Sequence, residues 1–239
     1  MISALVLAGG LGTRLRSVVP DLPKPMATIN GRPFLEYLLD YWINQGVGRF
    51  VLSVGYRHEM ITEHFGNKYK EAKIEYVIEK NLLGTGGGFL LGSQKIGKVE
   101  PFLLLNGDTF FAVNLKVLID FSTANKADWC FALYRSHELG RYMSLEISPT
   151  GSITSLNSGG SQLSCLSNGG VYWVTPSALA EVKISILKKI SLEEELFPAY
   201  IASGQRLFGL EFSKTFIDIG VPSDHHRAST ILTDYYEQQ

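Results

Sequence analysis

The stretch Leu7-Ala-Gly-Gly-Leu-Gly-Thr-Arg-Leu15 follows directly on an apolar run that begins at Ile2. An apolar run of this length that ends in glycines predicts a buried first strand followed by a loop. Because Gly9, Gly10 and Gly12 carry no side chain, the loop can approach a ligand closely and direct successive N–H groups toward an anion. The spacing matches neither the dinucleotide fingerprint nor the Walker A loop. A tight turn without a ligand is the alternative explanation.

Two cations follow this loop. Arg14 lies at its end, and Lys24 stands ten residues further on, inside Pro23-Lys24-Pro25-Met26. The flanking prolines stiffen the backbone and so reduce the entropy lost when the ammonium group is held in place. Ten residues span at most roughly 35 Å, so both cations can reach one triphosphate. Arg14 would hold phosphate oxygens bidentately and Lys24 would act as a point charge, unless both are solvated surface cations.

The composition of the chain excludes several classes of protein. Its 239 residues include 22 Lys and Arg against 23 Asp and Glu, a net charge of −1 that lacks the basic excess of a nucleic-acid-binding protein. Its apolar runs are shorter than the roughly 18 residues of a membrane span. Cys130 and Cys165 are isolated, which indicates neither a zinc site nor a disulfide framework. We therefore expect a cytoplasmic protein with no nucleic-acid or membrane partner.

Short apolar runs alternate with amphipathic stretches in the first half of the chain, which is typical of βα units around a mostly parallel sheet. We expect strands at Ile2–Leu7, Phe50–Val54, Ile74–Ile78, Phe102–Leu105, Trp129–Tyr134, Ser144–Ile147, Ile153–Leu156, Val171–Val174 and Leu207–Leu210. We expect helices over Phe34–Trp42, after Thr85, over Leu115–Ala124 and from Pro222 onward. With no low-complexity linker or internal repeat in view, the prediction is one α/β domain over residues 1–239.

Seven segments, in order along the chain, resemble the signature of the sugar-nucleotide pyrophosphorylases, which join a nucleoside triphosphate to a sugar 1-phosphate. They are Gly9–Leu15, Pro23–Met26, Leu83–Gly88, Leu105–Thr109, Asn168–Tyr172, Ser191–Pro198 and Phe216–Pro222. The subgroup that the chain resembles transfers guanylate to D-glycero-D-manno-heptose 1-phosphate. The resemblance implies a Rossmann-like nucleotidyltransferase fold, with a mainly nucleotide-binding half over 1–110 and a β-rich, mainly sugar-binding half with a C-terminal helix over 111–239. It also implies a requirement for Mg²⁺.

The resemblance further implies roles for individual residues. Arg14, Lys24 and Asp108 would be catalytic, and Asp108 and Asp218 would bind Mg²⁺, a cation that prefers oxygen ligands. The nucleotide would contact residues of the glycine-rich segments, namely Leu7, Ala8, Gly9, Gly10, Gly12, Thr13, Arg14, Glu79, Gly84 and Thr85. The sugar would contact residues of the later motifs, namely Asn106, Asn168, Gly169, Gly170 and Glu193.

Local chemistry adds an interpretation for several of these residues. Glu79 stands where related thymidylyl enzymes have a base-reading glutamine, and its carboxylate can accept two hydrogen bonds from guanine; a solvated glutamate is the alternative. Thr85 is a candidate N-cap, and the three glycines after it indicate close approach of a ligand because glycine is costly to order in a helix. Ser191 and Glu194 fit a capping box, which leaves Glu193 as the better match to the sugar-binding acid.

Two motifs keep a purely structural alternative. Asn106-Gly107 on its own is typical of a hairpin turn. Asp218 could instead cap the helix that begins near Pro222, although we favour the metal role.

The expected reaction is an in-line attack by the dianionic phosphate of a sugar 1-phosphate on the α-phosphorus of the triphosphate, which releases pyrophosphate. Because the attacking oxygen is already ionised, the protein needs neither a nucleophile nor a general base, and catalysis rests on positioning and charge neutralisation. We favour GTP; the alternatives are mannose 1-phosphate with GTP and N-acetylmuramate 1-phosphate with UTP. A non-catalytic regulatory subunit of the same fold is the alternative from another class, and we also consider a homodimer.

Overall fold

The computed structural model describes residues 1–15, 17–138, 142–157, 164–179 and 189–237. Its helices are α1 (Phe34–Asn44), α2 (His58–Phe65), α3 (Gly84–Ile96), α4 (Leu115–Ala124), α5 (Phe197–Ala202) and α6 (Pro222–Glu237). Its strands are β1 (Ile2–Ala8), β2 (Thr28–Ile29), β3 (Arg32–Pro33), β4 (Val47–Val54), β5 (Lys68–Tyr69), β6 (Ala72–Ile78), β7 (Phe102–Asn106), β8 (Thr109–Phe111), β9 (Trp129–Ser136), β10 (Ser144–Ile147), β11 (Ile153–Asn157), β12 (Cys165–Val174), β13 (Leu207–Glu211) and β14 (Phe216–Asp218). Single helical turns occupy Thr13–Leu15, Lys24–Met26, Pro176–Leu179 and Leu192–Leu196.

The centre of the main sheet is parallel. The strand order is β11-β10-β12-β7-β1-β4-β6-β5, and β1 lies parallel to both β7 and β4. Leu7 of β1 pairs with Asn106 of β7 and with Ser53 of β4, so the carboxyl ends of these three strands meet at one edge. Open α/β sheets bind their ligands at this edge.

The central strands are buried on both faces because helices cover the sheet. Ala4 and Val6 of β1 belong to one hydrophobic cluster and Leu5 belongs to a second, as expected when successive side chains of a strand point to opposite faces. Helix α3 packs very close to β1, since a Cβ on Gly92 would lie 2.3 Å from Leu5 Cδ1. This burial on two faces explains why β1 is continuously apolar from Ala4 to Ala8 rather than at every second position.

The second half of the molecule is antiparallel where it joins β7. Strand β12 pairs with β7 through residues 171–174 and with β9 on its other side. The register between β12 and β9 shifts between Asn168 and Tyr172, where Gly170 has a φ of +68°. A bulge of this kind re-aims nearby side chains. It brings β12 against the end of β7, because a Cβ on Gly170 would lie 2.9 Å from Asn106 Nδ2.

A pairing between distant segments closes this edge of the sheet. Strand β14 lies antiparallel to β8, with Asp218 opposite Thr109. The backbone N–H of Ile219 donates to the carbonyl oxygen of Asp108 at 3.0 Å. Asp108 and Asp218 therefore become neighbours although they are far apart in the sequence. The hairpin interpretation of Asn106-Gly107 is wrong, because the strand that follows it pairs with β14.

The structure confirms the predicted fold class, with its parallel central sheet, flanking helices and β-rich second half. Helix α4 and strand β10 have the predicted bounds, and most other predicted elements extend further than expected. Helices α2 and α5 and the shortest strands were not predicted from the sequence. Within the described ranges, no helix is both long and apolar enough to cross a membrane. The boundaries of a single domain over 1–239 stay a prediction.

Candidate active site

The glycine-rich loop lies at the carboxyl end of β1. Gly10 is exposed, and a Cβ added to it would meet no protein atom within 4 Å. Gly12 has a φ of +58°, a conformation that favours glycine, and a Cβ there would lie 3.0 Å from Lys24 Cβ. The loop therefore lies directly on Lys24, and the space over Gly10 is open for a ligand.

Lys24 lies between two carboxylates. Its ammonium group donates a short hydrogen bond to Asp108 Oδ2 and lies 3.6 Å from Asp218 Oδ1. The Lys24 side chain is 11% exposed, whereas those of Asp108 and Asp218 are 33% and 19% exposed. Pro23 precedes the 3₁₀ turn that carries the lysine, with a φ of −63°. The sequence thus fixes one cation at the point where both predicted metal ligands meet.

Lys24 and the carboxylates of Asp108 and Asp218 stabilise one another in their charged forms. Burial by itself lowers the pKa of Lys24, but the carboxylates of Asp108 and Asp218 outweigh burial and raise that pKa above its usual value. Burial by itself raises the pKa of Asp108, but the Lys24 ammonium outweighs it and lowers that pKa. The lysine is therefore a cation and Asp108 an anion at neutral pH.

Glu79 follows β6 and is held against the glycine-rich loop. Ser53 Oγ donates to Glu79 Oε1 at 2.9 Å, and the backbone N–H of Leu83 donates to Oε2 at 3.3 Å. A Cβ on Gly9 would lie 2.3 Å from Glu79 Oε1, and one on Gly88 would lie 2.9 Å from the same atom. Burial raises the pKa of Glu79 although both hydrogen bonds oppose this shift. Gly9 and Gly88 thus make room for a protein carboxylate.

The start of α3 corrects the N-cap expectation. Thr85 is not the N-cap, because α3 begins at Gly84 after Leu83, and the Ile190 carbonyl accepts from the N–H of Gly86 at 2.9 Å. A Cβ on Gly84 would lie 2.5 Å from the Ile190 oxygen, and one on Gly86 would lie 2.9 Å from Ile190 Cγ2. These two glycines therefore let the chain around Ile190 pack against the helix start. Close approach of a ligand to this segment stays a prediction, and Gly84 and Thr85 line the cleft.

The bulge of β12 holds a polar cluster. Asn168 Nδ2 donates to the Tyr172 hydroxyl at 2.6 Å, and Asn168 Oδ1 accepts from the N–H of Gly170 at 3.1 Å. Burial raises the pKa of Tyr172, and the carboxylate of Glu193 raises it further. Glu193 lines the same cavity as Asn168 and Gly170. Gly169 is buried, and a Cβ on it would lie 2.5 Å from the Phe111 ring.

The segment around Glu193 contains a capping box with a different partner from the one expected. Ser191 Oγ accepts from the N–H of Glu194 at 3.1 Å, as predicted. The reciprocal bond comes from Glu195, whose Oε1 accepts from the N–H of Ser191 at 2.9 Å. Glu194 is exposed and plays no part as the reciprocal acceptor. A π-helical turn leads into α5, and Pro198 lies in the first turn of α5, where a proline is tolerated.

Three adjoining cavities lie along this edge of the sheet. The Lys24 cavity has a volume of about 200 Å³ and is lined by Leu7, Ala8, Gly10, Gly12, Thr13, Arg14, Lys24, Pro25, Asp108 and Gly220. The Glu79 cavity has about 460 Å³ and is lined by Leu7, Gly9, Gly10, Leu11, Gly12, Thr13, Glu79, Leu82, Gly84, Thr85, Asn106, Asp108 and Lys189. The Glu193 cavity has about 420 Å³ and is lined by Arg14, Asn106, Thr109, Tyr142, Met143, Asn168, Gly170, Ser191, Glu193, Glu194, Phe216 and Asp218.

Shared residues connect the cavities. Arg14 lines the Lys24 and Glu193 cavities, Asp108 lines the Lys24 and Glu79 cavities, and Asn106 lines the Glu79 and Glu193 cavities. The structure thus brings every predicted site residue to the cleft except Gly169, which lies against Phe111. The contacts of these residues with substrates stay a prediction.

Several lining residues were missed by the sequence analysis. Phe216 and Gly220 lie in the Phe216–Pro222 segment, from which only Asp218 was predicted as a site residue. The same motif could have identified both. Tyr142 and Met143 lie at the end of a stretch with no recognised motif, and Lys189 precedes the capping box by two residues. No local sequence pattern predicts that Tyr142, Met143 and Lys189 line the cleft.

Comparison with known proteins adds independent evidence of descent. A family model described as nucleotidyl transferase matches residues 3–235. The chain belongs to the nucleotidyl transferase family. It is 38% identical to D-glycero-alpha-D-manno-heptose 1-phosphate guanylyltransferase of Aneurinibacillus thermoaerophilus over 98% of this chain and 100% of that protein. It is 37% identical to the enzyme of the same name from Campylobacter jejuni over 94% of this chain and 97% of that protein.

A solved structure agrees with this relationship. HddC from Yersinia pseudotuberculosis, in complex with GMP-PN, superposes with a TM-score of 0.83 and 32% identity, covering 96% of this chain and 99% of that one. The resemblance to the sugar-nucleotide pyrophosphorylases is therefore confirmed, and this member of the nucleotidyl transferase family is an enzyme of that reaction class.

Proposed function

We propose that this nucleotidyltransferase transfers guanylate from GTP to D-glycero-D-manno-heptose 1-phosphate, giving the GDP-sugar and pyrophosphate. The observation that carries the proposal is the position of Lys24, which contacts Asp108 and Asp218 where the Lys24 cavity adjoins the other two. Two relatives that are 38% and 37% identical to this chain carry this activity in their names. The nucleoside would lie in the Glu79 cavity, the triphosphate in the Lys24 cavity and the sugar in the Glu193 cavity.

The chemistry follows from this arrangement. A phosphate oxygen of the sugar 1-phosphate forms a bond to the α-phosphorus while the bond from that phosphorus to the β-phosphate oxygen breaks and pyrophosphate leaves. Lys24 and Arg14 offset the charge of the phosphates, and the N–H groups around Gly10 point at the β- and γ-phosphates. No proton has to move, because the attacking oxygen is already ionised. Binding both substrates along one edge supplies the rest of the rate enhancement.

The residues present fit a divalent cation. Among the described residues, no group of three or more His, Cys, Asp or Glu side chains lies close enough together to form a protein-only metal site. Asp108 and Asp218 supply two carboxylates, and Mg²⁺ is commonly held by one or two carboxylates together with substrate phosphates and water. Bound there, the cation would neutralise phosphate charge. The contacts of the Lys24 ammonium group with both carboxylates support this position as one that favours positive charge.

Glu79 supports the choice of guanine. Glu79 lines the Glu79 cavity, and a carboxylate can accept hydrogen bonds from N1–H and the exocyclic amine of guanine. The corresponding edge of uracil presents a single N–H between two carbonyl oxygens. We place the reaction in the cytoplasm. A homodimer stays a prediction.

A matrix of substrates tests the proposal. Pyrophosphate release is measured with Mg²⁺, each of five nucleoside triphosphates, and the 1-phosphates of the heptose, mannose, glucose and N-acetylmuramate. We expect the highest kcat/KM with GTP and the heptose 1-phosphate. A higher value with mannose 1-phosphate or with UTP would contradict the substrate assignment. Release with no pair would favour a non-catalytic regulatory subunit.

A further inference from the structure

Thr85 lies at the start of α3, in the half of the chain that the sequence associates with the nucleotide. Its hydroxyl group, however, bonds to the other half of the chain. Thr85 Oγ1 donates to Glu193 Oε2 at 2.7 Å and accepts from the backbone N–H of Leu192 at 2.9 Å. The single hydroxyl proton is therefore committed to Glu193.

Hydrogen bonds from the described residues reach only one of the two carboxylate oxygens of Glu193. Ser191 Oγ approaches the same Oε2 atom at 3.2 Å, so two hydroxyl groups contact one carboxylate oxygen. Among the described residues, no hydrogen bond reaches Glu193 Oε1. Because Glu193 lines the Glu193 cavity and is half-buried, this arrangement fixes the carboxylate while one oxygen stays available to a ligand.

The backbone around Thr85 strengthens the same connection. The N–H of Ile190 donates to the carbonyl oxygen of Leu83 at 2.8 Å, and the Ile190 carbonyl accepts from Gly86 at 2.9 Å. Gly84 has a φ of +73° and passes so close to Ile190 that a Cβ would lie 2.5 Å from its oxygen. The helix start and the Glu193 segment are thus joined on both sides of Thr85.

We propose that Thr85 is a positioning residue for the sugar substrate, acting through its hydrogen bond to Glu193. The proposal rests on the proposed function, because it takes the Glu193 cavity as the sugar site. A hydroxyl that bonded the nucleotide would affect the KM for GTP. A hydroxyl that orients Glu193 affects the KM for the sugar 1-phosphate, because a carboxylate that turns away loses hydrogen bonds to the sugar hydroxyls.

Steady-state kinetics of Thr85→Val and Thr85→Ser test this proposal. Valine keeps the shape and removes the hydroxyl, so the KM for the sugar 1-phosphate should rise roughly tenfold or more, while the KM for GTP changes less than about threefold. Serine keeps the hydroxyl and should restore both values. Ser93→Ala in the same helix is the matched control, since its hydroxyl bonds to the Leu90 carbonyl at 2.9 Å, and it should change neither KM.

A double-mutant cycle with Glu193→Ala separates positioning from a general loss of structure. If Thr85 acts through Glu193, Thr85→Val should have little further effect on the sugar KM once Glu193 is gone. Additive losses, equal rises of both KM values, or failure of serine to restore the sugar KM would overturn the proposal. A wild type that releases no pyrophosphate with any substrate pair would overturn the proposed function and this inference together, whereas an active wild type with an unchanged Thr85→Val would overturn the inference alone.

Discussion

The two halves of the cleft are built in different ways. Residues 1–110 form their part from segments that follow parallel strands β1, β6 and β7, and glycines such as Gly10 leave backbone open to the cleft. Residues 111–239 form their part largely from side chains such as Asn168 and Glu193, which hydrogen bonds to Tyr172 and Thr85 hold in place. The first half should therefore be sensitive to added atoms, and the second half to lost hydrogen bonds.

Lys24 is where the two halves meet, and its removal should have the largest effect. Lys24→Ala leaves Asp108 and Asp218 without their cation and removes positive charge beside the reacting phosphates. We expect kcat to fall by about a thousandfold or more without loss of the fold, as for other groups that stabilise transition-state charge. Activity and thermal unfolding are measured side by side, with the exposed Lys214→Ala as control. An unchanged kcat would refute the catalytic role of Lys24.

Glu193→Gln tests the side-chain half. Glutamine preserves the shape but removes the charge that strengthens hydrogen bonds to sugar hydroxyls, so the KM for the sugar 1-phosphate should rise about tenfold to a hundredfold. The KM for GTP should stay near its original value. Glu194→Gln is the matched control on the adjacent exposed residue. A larger effect at Glu194 than at Glu193 would show that the wrong acid was assigned.

Gly10→Ala tests the backbone half. The added methyl group meets no protein atom within 4 Å, so the melting temperature should not change. Any effect must then come from contact with the ligand, and overpacking by one methyl group should raise the KM for GTP roughly tenfold. Gly12→Ala provides the contrast, because its φ of +58° makes the substitution strain the fold itself. Equal KM values for Gly10→Ala and wild type would argue against close approach of the nucleotide.

Glu79→Gln should have the smallest effect, as a change in preference between bases. Glutamine can still accept one hydrogen bond from guanine, so the ratio of kcat/KM for GTP over UTP should fall by about fivefold.

Burial raises the pKa of Glu79, so this side chain takes up a proton at a higher pH than an ordinary glutamate does. The wild-type KM for GTP should therefore rise as the pH falls through that raised pKa, and Glu79→Gln should lack this rise. An unchanged base preference would remove Glu79 from the base site.

The difference between the two halves of the cleft explains which features the sequence could predict. Strand β1, the loop after it and Lys24 carry local signals, because burial on two faces, glycine content and flanking prolines are properties of adjacent residues. The pairing of Asp218 with the β8 strand depends on residues more than a hundred positions apart, and three-residue strands show no periodicity. Only the family resemblance placed Asp218 at the site.

The errors have a common physical cause. Thr85 was interpreted as the N-cap of its own helix, whereas it lies inside α3 and its hydroxyl bonds to Glu193. Glu194 was matched to a capping box by spacing, but the turn is π-helical, which moves the reciprocal acceptor one residue further along, to Glu195. In each case a tertiary contact or a local irregularity overrode a rule based on neighbouring residues.

The central claim is that the chain only positions two substrates and that the sugar phosphate itself attacks the α-phosphorus. The most direct test is the stereochemical course of the reaction with GTP that carries sulfur at the α-phosphorus in one known configuration. A single in-line attack by the sugar phosphate predicts a GDP-sugar thio-analogue with inverted configuration at that phosphorus. Retention of configuration would require two successive displacements through a guanylylated protein side chain, and it would contradict the account.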